Sequence, residues 1–367
     1  MAKPKQQVDL TILFTVITLL GIGIVMVFSA SAVKSMWQFG DSYYYLKRQM
    51  MWAMIGLPVM LVVMNINYWH YRRWANLALL GGLFFLVLVL IPGIGVESND
   101  ARRWIALGPI GFQPSELMKL LFVVFAAAHL TKLGDRVQDF RRGLLPVLGV
   151  VGLIGGLVLM EPDLGTAAVI CGTCMVVLFV AGARLSHLFF IVAVSLPMLA
   201  WAIFSEEYRR RRFLAFLDPW SDRLDSGFHI IQSLYALGSG GLFGVGLGAS
   251  RLKLFYLPEQ HTDFIFAIIG EELGFIGSGA IIILFFLLAW RGYKVAVTAP
   301  DRFGSLLATG ITTMVTMQAL INIGVVTATL PITGIPLPFI SYGGSSLLPA
   351  LAGMGILLNI SRHCEGG

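Results

Sequence analysis

Asp263 sits where a polar stretch, Pro258-Glu259-Gln260-His261-Thr262, gives way to an apolar run that begins at Phe264. Two further carboxylates, Glu271 and Glu272, lie inside that run. Acidic groups at or within a membrane helix are costly, so each is a candidate for function. A carboxylate at the outer end of a helix suits two jobs. It can take a proton from an attacking hydroxyl, or it can cap the helix by accepting its free N–H groups. The Thr262-Asp263 pair fits either. Glu271 would lie about 12 Å deeper at helical rise, and successive positions turn by about 100°, so Glu271 and Glu272 cannot share a face.

Other stretches carry polar groups with chemical reach. Arg102 and Arg103 precede Trp104, which reads as an interfacial anchor or as the wall of a groove. In the run from Gln113 to Lys119, Pro114 marks a helix start. Glu116 and Lys119 stand three apart and can pair on one face, structurally or within a site. Tyr208 and Phe213 bracket four arginines, 209–212. Arginine forks suit phosphate oxygens, and they equally suit anionic lipid; Arg210 stands for this group. The stretch 336–346, with Ser341 at its centre, has two prolines and two glycines and predicts a constrained re-entrant turn at a cavity wall. Glu161-Pro162-Asp163 predicts the same. The glycine-dense stretch 238–248 predicts close packing at the membrane surface. There is no HExxH, GxSxG or metal-type Cys/His cluster.

The elements that must carry these residues are membrane helices. The chain has 367 residues, 57% of them hydrophobic and 13% charged, against roughly a quarter charged in soluble domains. Apolar runs at about 10–32, 51–66, 75–91, 117–130, 144–160, 165–181, 185–204, 263–290, 303–329 and 345–360 predict an all-α polytopic membrane protein of about ten spans. The whole chain, 1–367, reads as one integral membrane domain. The N-terminal run predicts a retained first span rather than a cleaved signal. With the N-terminus placed in the cytoplasm, the inner loops carry thirteen Lys and Arg and the short outer loops five; the long segment 205–262 adds seven outside. Long loops cross largely regardless of charge, so both termini are expected inside and 205–262 forms a large extracytoplasmic loop. The net charge of +6 therefore records topology and lipid contact, not nucleic acid. Cys171 and Cys174 form a CxxC inside an apolar run and read as small helix residues rather than a redox pair.

The stretches NDARRW…FQPSELMK, EPDLGTA, YLPEQHTDFIFAIIGEELGFIG, PLPFISYGGSSLL and NISRH, in this order, resemble the SEDS family, and the resemblance covers nearly the whole chain. PLPFISYGGSSLL and NISRH look more like its division and sporulation branch than its rod-shape branch. The resemblance implies a peptidoglycan glycosyltransferase of the bacterial cell membrane. It would polymerise lipid II onto a glycan carried by undecaprenyl pyrophosphate, with a class B penicillin-binding protein as partner. By the motif HTDF, Asp263 matches the family's essential carboxylate. Trp104 matches its sensitive tryptophan, and Glu116 and Lys119 match its QPSExxK pair. EPDLG stands where QPDLG is commoner, which adds the charge of Glu161.

On that reading Asp263 is the general base of an inverting transfer, ionised at neutral pH by its ordinary pKa. Trp104, Arg103, Glu116, Lys119, Arg210, His261 and Ser341 are the candidate substrate-binding residues. A divalent cation, Mg²⁺ or Mn²⁺, is left open as an aid at the pyrophosphate. Two other readings stay open: a lipid II flippase, which Glu271 and Glu272 would suit, and a non-enzymatic scaffold. The one-sided clustering of the polar stretches, and no pattern of broken helices in inverted repeats, weigh against transport.

Overall fold

The computed structural model describes residues 7–364, except 99, 100, 108, 109, 224, 226 and 255. The expected spans are present. They are α1 (Leu10–Phe39), α2 (Tyr44–Asn65), α3 (Trp69–Leu90), α4 (Pro114–Leu133), α5 (Leu145–Met160), α6 (Leu164–Val180) and α7 (Leu185–Phe204). After the long segment come α10 (Ile265–Thr298), α11 (Arg302–Val326) and α12 (Gly344–Ser361). Among the described residues nine helical stretches are long and apolar enough to cross a membrane; α6, with 17 residues, is apolar but shorter. α4, α11 and α12 form the buried centre, α2 packs along α12, and α1 and α11 flank α10.

Two of the polar segments are more ordered than their composition announces. The segment after α3 folds as an antiparallel sheet in the order β1 (Gly95–Ser98), β2 (Ala101–Leu107), β3 (Ile110–Phe112). The segment after α7 carries α8 (Glu207–Leu217), a 3₁₀ turn (Pro219–Asp222) and α9 (Phe228–Gly240). The CxxC is unremarkable: Cys171 is exposed, Cys174 is buried and both are free.

The glycine-dense stretch packs close, as expected, and its partner is the interior of α10. It descends beside α10, because α10 is broken. Gly274 has φ +69° and ψ −166°, which no helix tolerates. It lies roughly 13 Å along the helix from Ile265. Broken backbone at that depth needs partners from within the protein. Residues 241–246 supply them. Val245 and Gly246 donate to the carbonyls of Glu271 and Glu272 at 2.9 and 3.1 Å, and Phe275 and Ile276 donate to those of Gly241 and Leu242 at 2.9 and 3.1 Å. The two backbones touch: a Cβ on Gly274 would stand 2.3 Å from the nitrogen of Gly244, and one on Gly244 would stand 2.1 Å from the carbonyl of Glu272.

Glu271 and Glu272 hold this junction. Glu272 pairs with buried Lys253 at 2.8 Å and accepts Ser29 Oγ of α1 at 2.6 Å. Lys253 also donates to Gly248 O at 2.7 Å. Glu271 accepts the Ser250 hydroxyl and, at 2.9 Å, the Arg251 N–H. The two acids that suited a transporter are thus joined to the descending loop.

Gly274→Ala is expected to cost at least about 2 kcal/mol, from backbone strain and overlap. Gly279→Ala, with nothing within 4 Å of the added methyl, should leave the detergent-solubilised melting temperature unchanged. Lys253→Met leaves Glu272 buried without a countercharge and should cost about 3–5 kcal/mol, much of it recovered in the double variant with Glu272→Met.

Candidate functional site

Asp263 does not cap α10. The cap position is Phe264, and no side chain accepts from the first turn. The chain arrives at α10 through a turn in which the Glu259 carbonyl accepts the N–H groups of Thr262 and Phe264, both at 3.2 Å. Three consecutive carbonyls after it are taken up from outside. Tyr342 N donates to His261 O at 2.9 Å, Ser341 Oγ to Thr262 O at 2.6 Å, and Asn322 Nδ2 of α11 to Asp263 O at 2.8 Å. The same Asn322 amide donates to Ile335 O at 2.7 Å, and Leu337 N donates to Ser341 Oγ at 2.8 Å. The stretch 335–342 and α11 therefore fix the backbone of Asp263 while its carboxylate has no hydrogen-bond partner among the described residues.

That carboxylate faces a branched groove at one end of the bundle. A central chamber of about 590 Å³ is lined by Arg103, Trp104, Gln113, Tyr208, Arg212, Glu259 and Asp263, with the turn residues Gly334, Pro336 and Tyr342 behind them. A chamber of about 430 Å³ runs from Asp263 under α8, past Arg211, Arg212 and His229. A third, of about 380 Å³, shares Trp104, Tyr342 and Gly343 with the centre and reaches Arg48, Met51 and Trp52 of α2. Gly334 lies so close that a Cβ there would stand 3.5 Å from Asp263 Oδ2.

The environment changes the acid. Burial, then the negative charge of Glu259, pushes Asp263 up to about 7, against the pull of Arg212 and Arg103. Asp263 is thus not the fully ionised carboxylate expected from its ordinary value; it titrates near neutrality. His261 moves the other way, down to about 4, through burial and the charge of Lys34, so it is a neutral ring at pH 7. Burial, then the charge of Asp163, also raises Glu161 to about 8. The added acid of EPDLG is therefore mostly uncharged.

The candidate residues fall into two groups. Asp263, Arg103 and Trp104 line the groove. Arg103 also donates from Nε to Glu161 O at 2.7 Å and from Nη2 to Pro162 O, which ties β2 to the turn before α6. Glu116, Lys119, His261 and Ser341 are buried behind the wall. The expected Glu116–Lys119 pair forms at 2.8 Å, and Lys119 also donates to Gln318 of α11 at 2.6 Å. His261 packs against Tyr45 and Tyr342, with ring centroids 4.4 and 5.7 Å away. Arg210 is exposed and lines none of these chambers. Its neighbours divide the work. Arg209 binds the carbonyls of Ala202 and Leu159, Arg211 pairs with Glu207 at 2.6 Å, and Arg212 lies over the Tyr208 ring facing the groove. Glu259, His229 and Tyr208 also line the groove; the sequence offered Glu259 and Tyr208 as neighbours of candidate residues without a role of their own. His229 sits on the amphipathic face of α9, stacked on Phe264.

A polytopic helical bundle with a polar, branched groove at one end defines the class: an integral membrane protein with a polar groove among the ends of its helices. Comparison with known proteins narrows it. The family described as "Cell cycle protein" (FTSW_RODA_SPOVE) matches residues 10–366, and the chain belongs to it. "Stage V sporulation protein E" of Bacillus subtilis (strain 168) is 50% identical over 363 residues, covering 99% of both chains. "Probable peptidoglycan glycosyltransferase FtsW" of Geobacter sulfurreducens (strain DL-1 / KN400) is 46% identical, covering 99% of this chain and 98% of that protein. Among solved structures, Thermus thermophilus rod shape determining protein RodA superposes with a TM-score of 0.72 at 30% identity, covering 98% of each chain. A chain from a peptidoglycan synthase complex that coordinates polymerization and crosslinking gives 0.79 at 31%, covering 97% of this chain and 98% of that one. The protein is an integral protein of the bacterial cell membrane.

Asp263 holds its proton more tightly in the fold than at its ordinary value of 3.8. Stability therefore falls as pH rises from about 4 to about 7, and the full cost of the buried charge is present above that. Asp263→Asn lacks this cost. Its melting temperature should exceed that of the wild type at about pH 8, with the gap closing toward about pH 4. A variant no more stable than wild type at the higher pH would contradict the desolvated carboxylate.

Proposed function

We propose that this membrane-embedded peptidoglycan glycosyltransferase carries out its chemistry in the groove, with Asp263 as the general base. The observation that carries the reading is the carboxylate itself. It is fixed through its backbone, free of hydrogen-bond partners among the described residues, and flanked by Arg103 and Arg212 in a groove whose central chamber holds about 590 Å³. A base works best with a pKa near the working pH, and burial with the neighbouring Glu259 supplies that here.

The donor is a glycan on undecaprenyl pyrophosphate and the acceptor is lipid II, with the groove facing the outside of the cell. Asp263 takes the proton of the acceptor's GlcNAc 4-hydroxyl as its oxygen attacks the donor's anomeric carbon. The bond from that carbon to the pyrophosphate oxygen breaks, with inversion. The pyrophosphate leaves with its added charge balanced by Arg212 and Arg103, whose planar forks suit phosphate oxygens. Trp104 and Tyr342 wall the sugars. The Glu116–Lys119–Gln318 cluster braces α4 against α11 behind the site, and His261 and Ser341 hold the turn that presents Asp263. Among the described residues no three His, Cys, Asp or Glu converge as a metal site; a cation carried by the pyrophosphate would meet Glu259 and Asp263. A class B penicillin-binding protein as partner is supported by the likeness to a chain from a complex that joins polymerization to crosslinking.

Asp263→Asn in the purified protein should lower lipid II polymerisation about 10²–10⁴-fold, with the fold shown intact by its melting curve. In the wild type, kcat/KM should fall on the acid side with a midpoint near 7, the value to which Asp263 is raised, because protonation removes the base. Undiminished glycan synthesis by the variant would refute the assignment.

A further inference from the structure

The third arm of the groove has no role in the chemistry above. It shares Trp104, Tyr342 and Gly343 with the central chamber, ends on Arg48, Met51 and Trp52 of α2, and is not lined by Asp263. Arg48 makes no ion pair with the described carboxylates; its guanidinium lies 4.6 Å from the centre of the Tyr44 ring. The end of α2 that bears it is held to the Asp263 turn. Gln49 donates to Ser341 O at 3.3 Å, and the Tyr45 ring stands 4.4 Å from that of His261. Among the described residues Arg48 is thus a cation without a carboxylate partner, hydrogen-bonded to Tyr342 on the wall it shares with the central chamber.

We infer that this arm is the seat of the acceptor: Arg48 binds the pyrophosphate of lipid II, and Met51 and Trp52 receive the start of its isoprenoid tail. The inference rests on the glycosyltransferase reading and adds to it which substrate lies where. The two substrates carry the same anion at different distances from their reacting atoms. In the donor, the anomeric carbon is bonded directly to the pyrophosphate, so its cations must stand beside Asp263, where Arg103 and Arg212 are. In the acceptor, the attacking hydroxyl is on the sugar farther from the pyrophosphate, so its cation must stand apart from the base. Arg48 lies in an arm that Asp263 does not line and that shares Trp104 and Tyr342 with the central chamber. A tryptophan at a membrane boundary suits the junction of headgroup and tail.

The test uses the purified full-length protein, lipid II, and a short glycan on undecaprenyl pyrophosphate as primer. With primer saturating, Arg48→Ala should raise the KM for lipid II about tenfold or more, the loss of one charge-assisted phosphate contact. The maximal rate and the KM for primer should be nearly unchanged. Arg48→Lys should recover most of the loss, and Arg48→Gln, which keeps the bulk, should not. A rise in the primer KM instead, or no change in either, overturns the assignment. Binding of labelled lipid II to the Asp263→Asn protein, with primer filling the donor side, reads the arm without turnover. Adding Arg48→Ala should weaken it about tenfold, and equal binding overturns the inference. Displacement of that lipid II by phosphatidylglycerol would make the arm a general lipid-phosphate site and overturn it too. A wild type that binds lipid II through Arg48 but makes no glycan would count against the glycosyltransferase reading alone.

Discussion

The site depends on three carbonyls. Residues 261–263 are neither helix nor strand, and they lead into an apolar helix. Backbone there must find partners or unfold. It finds them in Tyr342 N, Ser341 Oγ and Asn322 Nδ2. The consequence is chemical as well as mechanical. With the backbone held from behind, the Asp263 side chain need not cap α10, and none of the helix's first N–H groups stabilises its charge. It is left facing arginines and a second carboxylate across a groove, where burial makes it a weaker acid.

The break at Gly274 extends the same logic inward. A continuous α10 would leave the descending loop with no backbone to pair with, and a loop held at the surface would leave Gly274 unsatisfied. The two irregularities complete each other, and the buried Lys253–Glu272 pair with Ser29 joins them to α1. Such a pair adds little net stability over an apolar contact. Its effect is to fix one register between the loop and the helix, and so to hold the end of α10 from which Asp263 projects.

Much of this was legible in the residues. Asp263, Trp104 and Arg103 could be singled out because charge and aromatic groups at a membrane boundary are few, and each must be explained. The Glu116–Lys119 pair followed from spacing three apart. The family motifs pointed to chemistry at one end of the bundle. Other features were not legible because they are properties of packing. Glycines in 238–248 signalled close approach, but not that the approaching backbone was the interior of α10. Four consecutive arginines could not be told apart until helical geometry sent Arg212 into the groove, Arg209 onto carbonyls and Arg210 outward. Ser341 looked like a polar group for substrate, yet its hydroxyl is spent on the chain before Asp263. Asp263's ordinary pKa misled for the same reason: desolvation is set by what folds around a group.

The fold holds Asp263 in a place where its carboxyl titrates near neutrality. Infrared difference spectra of the purified protein, recorded across a pH series for wild type and Asp263→Asn, read that carboxyl directly. A protonated carboxylic acid band that disappears with a midpoint near 7, and that is absent from the variant, is the predicted result. A wild-type spectrum identical to that of the variant from about pH 5 to about pH 8, as an aspartate with its ordinary pKa would give, would contradict it.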